Sequence, residues 1–243
     1  TPATLTPELR GAVNLDVEGS ARRSEAGAFG ARVKGRLLKS RLRDRALVGD
    51  VDARWQTGML ELERLFLQGA GFEARAAGAL EERLTWGVQV SDPSALVPGS
   101  SGRFNANGWV RYAKERLSGA ATVRGSRLAL SGFQAAAVEA DAAMENEEAQ
   151  RLDARVFLKG LVCGPVRVDT AQVKSTGTAG DHAIRVLFES GEGRMEATLR
   201  GGYGKAAWKG ALETLRGTGA AGPWGLQAPA SVTISAARSS VGP

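Results

Sequence analysis

A single histidine, His182, limits the chemistry open to this chain. Any Ser-His-Asp relay would have to run through it, and its neighbour Asp181 supplies an acid, but no Gly-x-Ser-x-Gly elbow exposes a serine nucleophile. Asp181-His182 follows Gly177-Thr178-Ala179-Gly180 and leads into Ile184-Arg-Val186, so the pair reads as a turn at the wet start of a strand. Glu81-Glu82 and Glu147-Glu148 are adjacent carboxylates in turn contexts, with no third group spaced for acid–base work. Cys163 stands alone, which excludes an internal disulfide and metal sites built on cysteine pairs. One histidine and scattered aspartates give no metal-ligand spacing. Gly201-Gly202-Tyr203-Gly204 lacks the strand-to-helix context of a phosphate loop and reads as a turn. The expectation is a chain that is not an enzyme, with no catalytic residue, metal or cofactor.

The elements that hold these residues are short and repetitive. Trp86-Gly-Val88-Gln-Val90, Phe104-Asn-Ala106, Leu128-Ala-Leu130, Val166-Arg-Val168, Ile184-Arg-Val186-Leu-Phe188 and Val232-Thr-Ile234 alternate apolar with polar, the period of a strand with one dry face. Strand, turn and returning strand recur every 18 to 25 residues or so, the mark of a meander or solenoid whose units bury their apolar faces beside their neighbours. Glycines within strands, such as Gly87, Gly119 and Gly210, fit bulges and curvature. Ala135 to Ala154 is rich in helix formers, but Val138, Ala140, Ala142 and Met144 keep a period of two, so a strand is expected, followed by a polar turn at Glu145-Asn-Glu-Glu148. Leu37 to Asp50 fits either a helical turn or two, or a strand pair about Arg43-Asp44-Arg45.

Composition narrows the partners. The 243 residues carry a formal charge of +6, which suits anionic partners. Arg111, Arg124, Arg155, Arg167 and Arg185 are spread singly over the polar sides of strands, the pattern of a solvated face and not of a nucleic-acid tract. Apolar residues make up 43% of the chain, yet aromatics are only 6% and alanine and glycine abound, so few large side chains are available to fill a core between two packed layers. No run of about 18 apolar residues occurs. No linker divides the sequence, so residues 1–243 read as one continuous all-β body. Thr1 stands where an initiator Met would, so the chain reads as an excised piece.

Near the C-terminus larger motifs follow one another: Gly177-Thr178 with His182, Trp208-Lys-Gly210-Ala-Leu212, Gly222-Pro223-Trp224-Gly-Leu226, and Pro229 to Ile234. In this order they resemble the TamB group of AsmA-like periplasmic bridge proteins. Val88-Gln-Val90-Ser-Asp92-Pro-Ser94-Ala-Leu96 with Gly102-Arg-Phe104 is similar to a strand, turn and strand of that family, although Pro93 replaces the usual apolar residue. The resemblance covers residues 84 to 243 well, and the first third only in texture.

The resemblance implies a long antiparallel sheet curled into an open U-shaped trough with an apolar interior. It implies a periplasmic segment of a protein anchored in the inner membrane of a Gram-negative bacterium, here without the N-terminal anchor and the C-terminal domain. The implied cargo is phospholipid acyl chains moving toward the outer membrane, with headgroups along an arginine-bearing rim. The alternative is a groove for unfolded outer-membrane β-strands, working with a TamA-type barrel through regions outside this chain. The residues expected to line the groove are Trp86, Val88, Val90, Phe104, Leu128, Leu130, Val138, Val156, Leu158, Val166, Val168, Ile184, Val186, Phe188, Leu199, Trp208, Leu212, Trp224, Leu226, Val232 and Ile234. Some sixteen strands at about 4.8 Å would stack to roughly 75 Å, a length that suits a conduit better than a pocket. A structural β-solenoid would need a more regular repeat, and a hydrolase would need a reactive cluster at His182.

Overall fold

A computed structural model describes residues 11–23, 29–145, 151–204, 207–235 and 239–242. The regular elements among them are β-strands and one short 3-10 turn, Pro93–Ala95, and hydrogen bonding assigns the nineteen strands to one antiparallel sheet that is not closed into a barrel. The chain is therefore all-β. Two compact units emerge, residues 1–115 with 127–131 and residues 116–126 with 132–243.

The first unit holds β1 (Gly11–Ala12), β2 (Leu15–Arg23), β3 (Phe29–Leu37), β4 (Ser40–Leu42), β5 (Arg45–Gln56), β6 (Met59–Gly69), β7 (Phe72–Ala79), β8 (Arg83–Val90) and β9 (Ser101–Ala113), with the last residues of β10 (Arg116–Leu130). Strands β5 to β9 form a meander, each pairing antiparallel with the next. β3 and β4 lie along the same edge of β5, so they are one strand interrupted at Lys39, whose φ is 40°. β2 and β1 are broken in step, pairing with β3 and β4. Buried Ser40 mends the double break: its hydroxyl accepts from Asn14 N–H at 2.9 Å and lies 3.0 Å from the Asn14 carbonyl. Of the two readings for Leu37 to Asp50 the strand pair is the one found, with Arg43 and Asp44 at φ 50° and 61° in the tight turn, the left-handed pair that suits hairpin twist.

The second unit holds most of β10 with β11 (Phe133–Met144), β12 (Leu152–Cys163), β13 (Val166–Gly177), β14 (His182–Ser190), β15 (Gly193–Tyr203), β16 (Ala207–Gly219), β17 (Gly222–Gly225), β18 (Ala230–Ser235) and β19 (Ser239–Gly242). β11 to β16 is again a meander. β17 and β18 share one edge of β16 and make a second interrupted strand. The alanine-rich stretch is strand β11 as its period of two requires; of the turn expected at Glu145-Asn-Glu-Glu148, residues 146–148 lie outside the described residues, and Glu147-Glu148 with them. Counting each interrupted strand once, the nineteen strands are sixteen passes of the chain.

A bulge in each unit decides which side chains face which way. Along β6, Asp52 pairs with Arg64 and Ala53 with Leu62, so Glu63 is the extra residue and both Leu62 and Leu65 stay on one face. Along β16, Thr198 pairs with Thr214 and Leu199 with Leu212, so Glu213 is extra and Leu212 and Leu215 share a face. Both bulges fall in a Leu-Glu-x-Leu sequence, not at Gly87 or Gly210. A bulged residue reverses the parity that a strict alternation of two would give. Gly201 to Tyr203, read above as a turn, is the end of β15.

Candidate functional site

The registers sort the side chains into two continuous faces within each unit. In the second unit one row runs Val138–Leu158–Ala171–Phe188–Met195–Gly217–Trp224 across seven strands. The next is Ala140–Val156–Val173–Val186–Ala197–Leu215, and the third Ala142–Ala154–Ser175–Ile184–Leu199–Leu212–Ala230. In the first unit the corresponding rows are Val51–Leu65–Ala76–Trp86–Gly108, Gly49–Leu67–Ala74–Val88–Ala106 and Leu47–Gly69–Phe72–Val90–Phe104. Apolar side chains, alanine and glycine therefore fill one face of each unit, and the bulges keep the two ends of β6 and β16 in step with it.

This face is the less accessible one. Val90, Ala171, Ala197, Trp208 and Val232 are buried on it, whereas no large side chain among the described residues is fully buried, as a core between two layers would require. Within each unit the described elements are strands of the sheet and one 3-10 turn, so no second layer lies over the apolar rows.

Most of the expected lining residues come together here: Trp86, Val88, Val90 and Phe104 in the first unit, and Val138, Val156, Leu158, Ile184, Val186, Phe188, Leu199, Trp208, Leu212, Trp224, Val232 and Ile234 in the second. Leu226 follows β17, donating its N–H to the Leu215 carbonyl at 2.7 Å, and is exposed. Leu128 and Leu130 end β10 in the part that belongs to the first unit. Val166 and Val168 pair with Cys163 and Leu161 beyond an interruption of the β12–β13 ladder at Gly160, whose φ is 60°; Val166 is exposed, and Val168 is half-buried between exposed Arg167 and Asp169. Ala171, Val173, Met195, Ala197 and Leu215 complete rows that were not expected; their small or singly placed side chains give little local signal.

Trp208 is the best-anchored group on the face. Its ring lies over glycine on its own strand and on the facing one: a Cβ at Gly201 of β15 would sit 2.8 Å from the ring and one at Gly210 of β16 2.6 Å from it. This is the reason for glycine two residues after the tryptophan: the indole covers backbone that no side chain covers. Trp224 does the same over Gly217, and Phe72 over Gly69. The Trp208 indole N–H donates to Nε2 of His182 at 2.8 Å, and His182 Nδ1 lies 3.0 Å from the Thr178 carbonyl. An indole only donates, so Nε2 accepts, Nδ1 carries the proton and the imidazole is neutral in this arrangement. Tyr203 stacks on the imidazole with centroids 6.0 Å apart. His182 is thus half-buried and holds Trp208; it is more than the wet turn residue expected. The bond joins residues 26 apart, and nothing in the local sequence announces it.

The opposite face carries the charge. Arg32 binds Asp52 at 2.7 Å and Glu63 at 2.6 Å, Arg64 binds Asp50 at 2.8 Å, Arg200 binds Asp181 at 3.1 Å and Arg216 binds Glu196 at 2.8 Å. Hydrogen bonds from Arg32, Arg200 and Arg216 hold the carboxyls of Asp52, Asp181 and Glu196, respectively, below the ordinary range, with the charge of the same arginines adding to the effect. Among the described residues no three metal-ligating side chains converge, and no helix is long and apolar enough to cross a membrane.

The family model of the TamB N-terminal domain matches residues 1–242. The chain belongs to the TamB family. No curated protein and no solved structure matches it. The TamB match takes in the first third, where sequence motifs showed only a general texture, as well as the tryptophan motifs further on. Those motifs have a physical role in this TamB domain: Trp208-x-Gly210-x-Leu212 is a ring laid over glycine just before the bulge, and Gly222-Pro223-Trp224 returns the chain so that a second ring covers Gly217.

Proposed function

We propose that this TamB domain is a segment of a periplasmic bridge between inner and outer membranes, and that its apolar face shields phospholipid acyl chains on their way to the outer membrane. The observation that carries the reading is the unbroken apolar face of each unit, several strands wide and uncovered by any second layer within that unit. Exposed apolar surface of this extent marks a binding surface. Its rows hold mostly Ala, Val, Leu and Gly, and Trp208, Trp224 and Phe72 lie over glycine backbone, an arrangement that suits acyl chains better than the side chains of one peptide. Acyl chains gain about 0.8 kcal/mol per buried methylene relative to water, so two sixteen-carbon chains gain on the order of 20 kcal/mol. Relative to a bilayer the gain is near zero. A chain shielded this way slides without being trapped.

In this role the domain acts by shielding, without catalysis or cofactor. Attachment to the inner membrane and any engagement of a TamA-type barrel belong to regions other than these strands. Native mass spectrometry of the purified chain tests the reading: bound phospholipid is expected, and Val186→Glu in the middle of the apolar face should remove most of it. A chain that carries no lipid but retains unfolded outer-membrane β-strands would replace the acyl reading with the strand-cargo one.

A further inference from the structure

Charge on the polar face mostly alternates, and where Arg32 stands opposite Arg54 in the first unit, Glu63 of the bulge binds both. Cross-strand neighbours alternate in sign: Glu18–Lys34–Asp52–Arg64 and Asp16–Arg36–Asp50 in the first unit, Glu189–Arg194 and Glu196–Arg216 in the second. Alternation is what opposite pairs in a ladder favour, since like charges directly opposite are destabilising. In the second unit Arg155 pairs with Lys174 and Lys174 with Arg185, three cations in one row on β12, β13 and β14. Partial relief comes only at the ends. Arg185 lies 3.5 Å from Glu196, which is also held by Arg216 at 2.8 Å, and Asp141 stands across from Arg155 but accepts from the Thr122 hydroxyl at 2.9 Å. Among the described residues Arg155 and Lys174 have no carboxylate partner.

The row lines a cavity of about 530 Å³. The neighbouring row, Glu139–Phe157–Gln172–Leu187–Glu196, gives it two apolar side chains and an amide between two carboxylates, and Asp141 and Arg194 line it as well. Guanidinium and ammonium groups at strand spacing, with an amide donor beside them and apolar surface below, suit a tetrahedral oxyanion esterified to an organic group.

We propose that Arg155, Lys174 and Arg185 form a binding site for a phosphate ester on the face opposite the apolar rows. The ester is either the headgroup of an anionic phospholipid or a soluble phosphate compound. The site rests on the charged face alone, so failure of acyl binding leaves it standing. Its occupant supplies the negative charge that the ladder omits. The row also gives the domain a means of meeting an anionic lipid surface with its outside while the apolar face stays free.

The test compares the full chain with Arg155→Gln/Lys174→Gln and with Arg22→Gln/Arg23→Gln, which removes the same charge elsewhere; melting curves confirm that all three are folded. Inorganic phosphate binding is followed by 31P NMR, and flotation is measured with phosphatidylglycerol and with phosphatidylcholine vesicles. Expected is phosphate binding weakened about tenfold or more in the first variant and unchanged in the second. If flotation favours phosphatidylglycerol, and only the first variant loses that preference, the occupant is a lipid headgroup. If phosphate binding follows the row but flotation shows no preference, the occupant is soluble. Equal losses in both variants, or no phosphate binding and no lipid preference in the unmodified chain, overturn the site.

Discussion

Deleting Ala211 is the sharpest perturbation of this sheet. β16 stays in step with β15 because Glu213 is extra: Thr198 faces Thr214 and Leu199 faces Leu212, so Glu213 has no partner of its own. With Leu212, Leu215 and Gly217 held opposite Leu199, Ala197 and Met195, loss of Ala211 turns Trp208 and Gly210 to the charged face and Lys209 to the apolar one. Trp208 is only 3% exposed. Exposing an indole of 150–250 Å² costs about 4–6 kcal/mol at about 25 cal/mol per Å². The lost Trp208–His182 bond adds about 0.5–1.5 kcal/mol. The sum, about 4–8 kcal/mol, is an upper bound, because an unfolded chain already buries part of this surface. For a chain of this length a loss of even half that lowers Tm by about 5 °C or more. Hydrogen exchange should locate the loss in β16, β18 and β19. Deleting Glu213 instead removes the bulge and leaves Leu212, Thr214 and Leu215 in strict alternation, so Trp208 and Leu212 keep their face and the melt should fall much less. The reasoning is refuted if deletion of Ala211 melts within about 2 °C of the unmodified chain with β16 still protected, or if deletion of Glu213 is as damaging as that of Ala211.

Other consequences are narrower. Gly193 has a φ of 156° and a Cβ there would overlap the Thr218 carbonyl oxygen, so Gly193→Ala should cost about 1–3 kcal/mol in a thermal melt, while Gly191→Ala, with nothing within 4 Å, should be neutral. His182→Ala leaves the buried Trp208 N–H without its acceptor and should cost about 1–3 kcal/mol; an unchanged melt would remove His182 from the support of Trp208. The carboxyl of Glu196 is held below its ordinary 4.5, so its contribution is present above that value and fades as pH falls through the lower folded one. The Tm difference between Glu196→Gln and the unmodified chain should therefore be constant well above pH 4.5 and shrink as pH falls below it, and a difference that grows toward low pH would contradict the pairing.

Much of this was legible because a strand's period is short. Val138, Ala140, Ala142 and Met144 alternate despite a composition that favours helix, and they form β11. What a period of two does not reveal is where it is interrupted. Leu212-Glu-Thr-Leu215 reads locally like any stretch of polar and apolar residues, and only the facing residues Thr198 and Leu199 show that Glu213 is the odd one out. His182 was underestimated because its partner Trp208 lies across the intervening β15, a relation made by the meander and not by neighbours in sequence.

The central claim is that lipid travels on the apolar face and not elsewhere on the sheet. Adjacent residues on β14 separate the faces: Ile184 lies in a row with Ser175 and Leu199, and Ala183 in one with Thr176 and Arg200. A photoreactive amino acid placed at Ile184, and in a second chain at Ala183, would be irradiated in living cells and the adducts identified by mass spectrometry. Phospholipid acyl adducts at Ile184 with few or none at Ala183 are the expected result. Equal labelling at the two positions, or protein adducts in place of lipid at Ile184, would contradict the account.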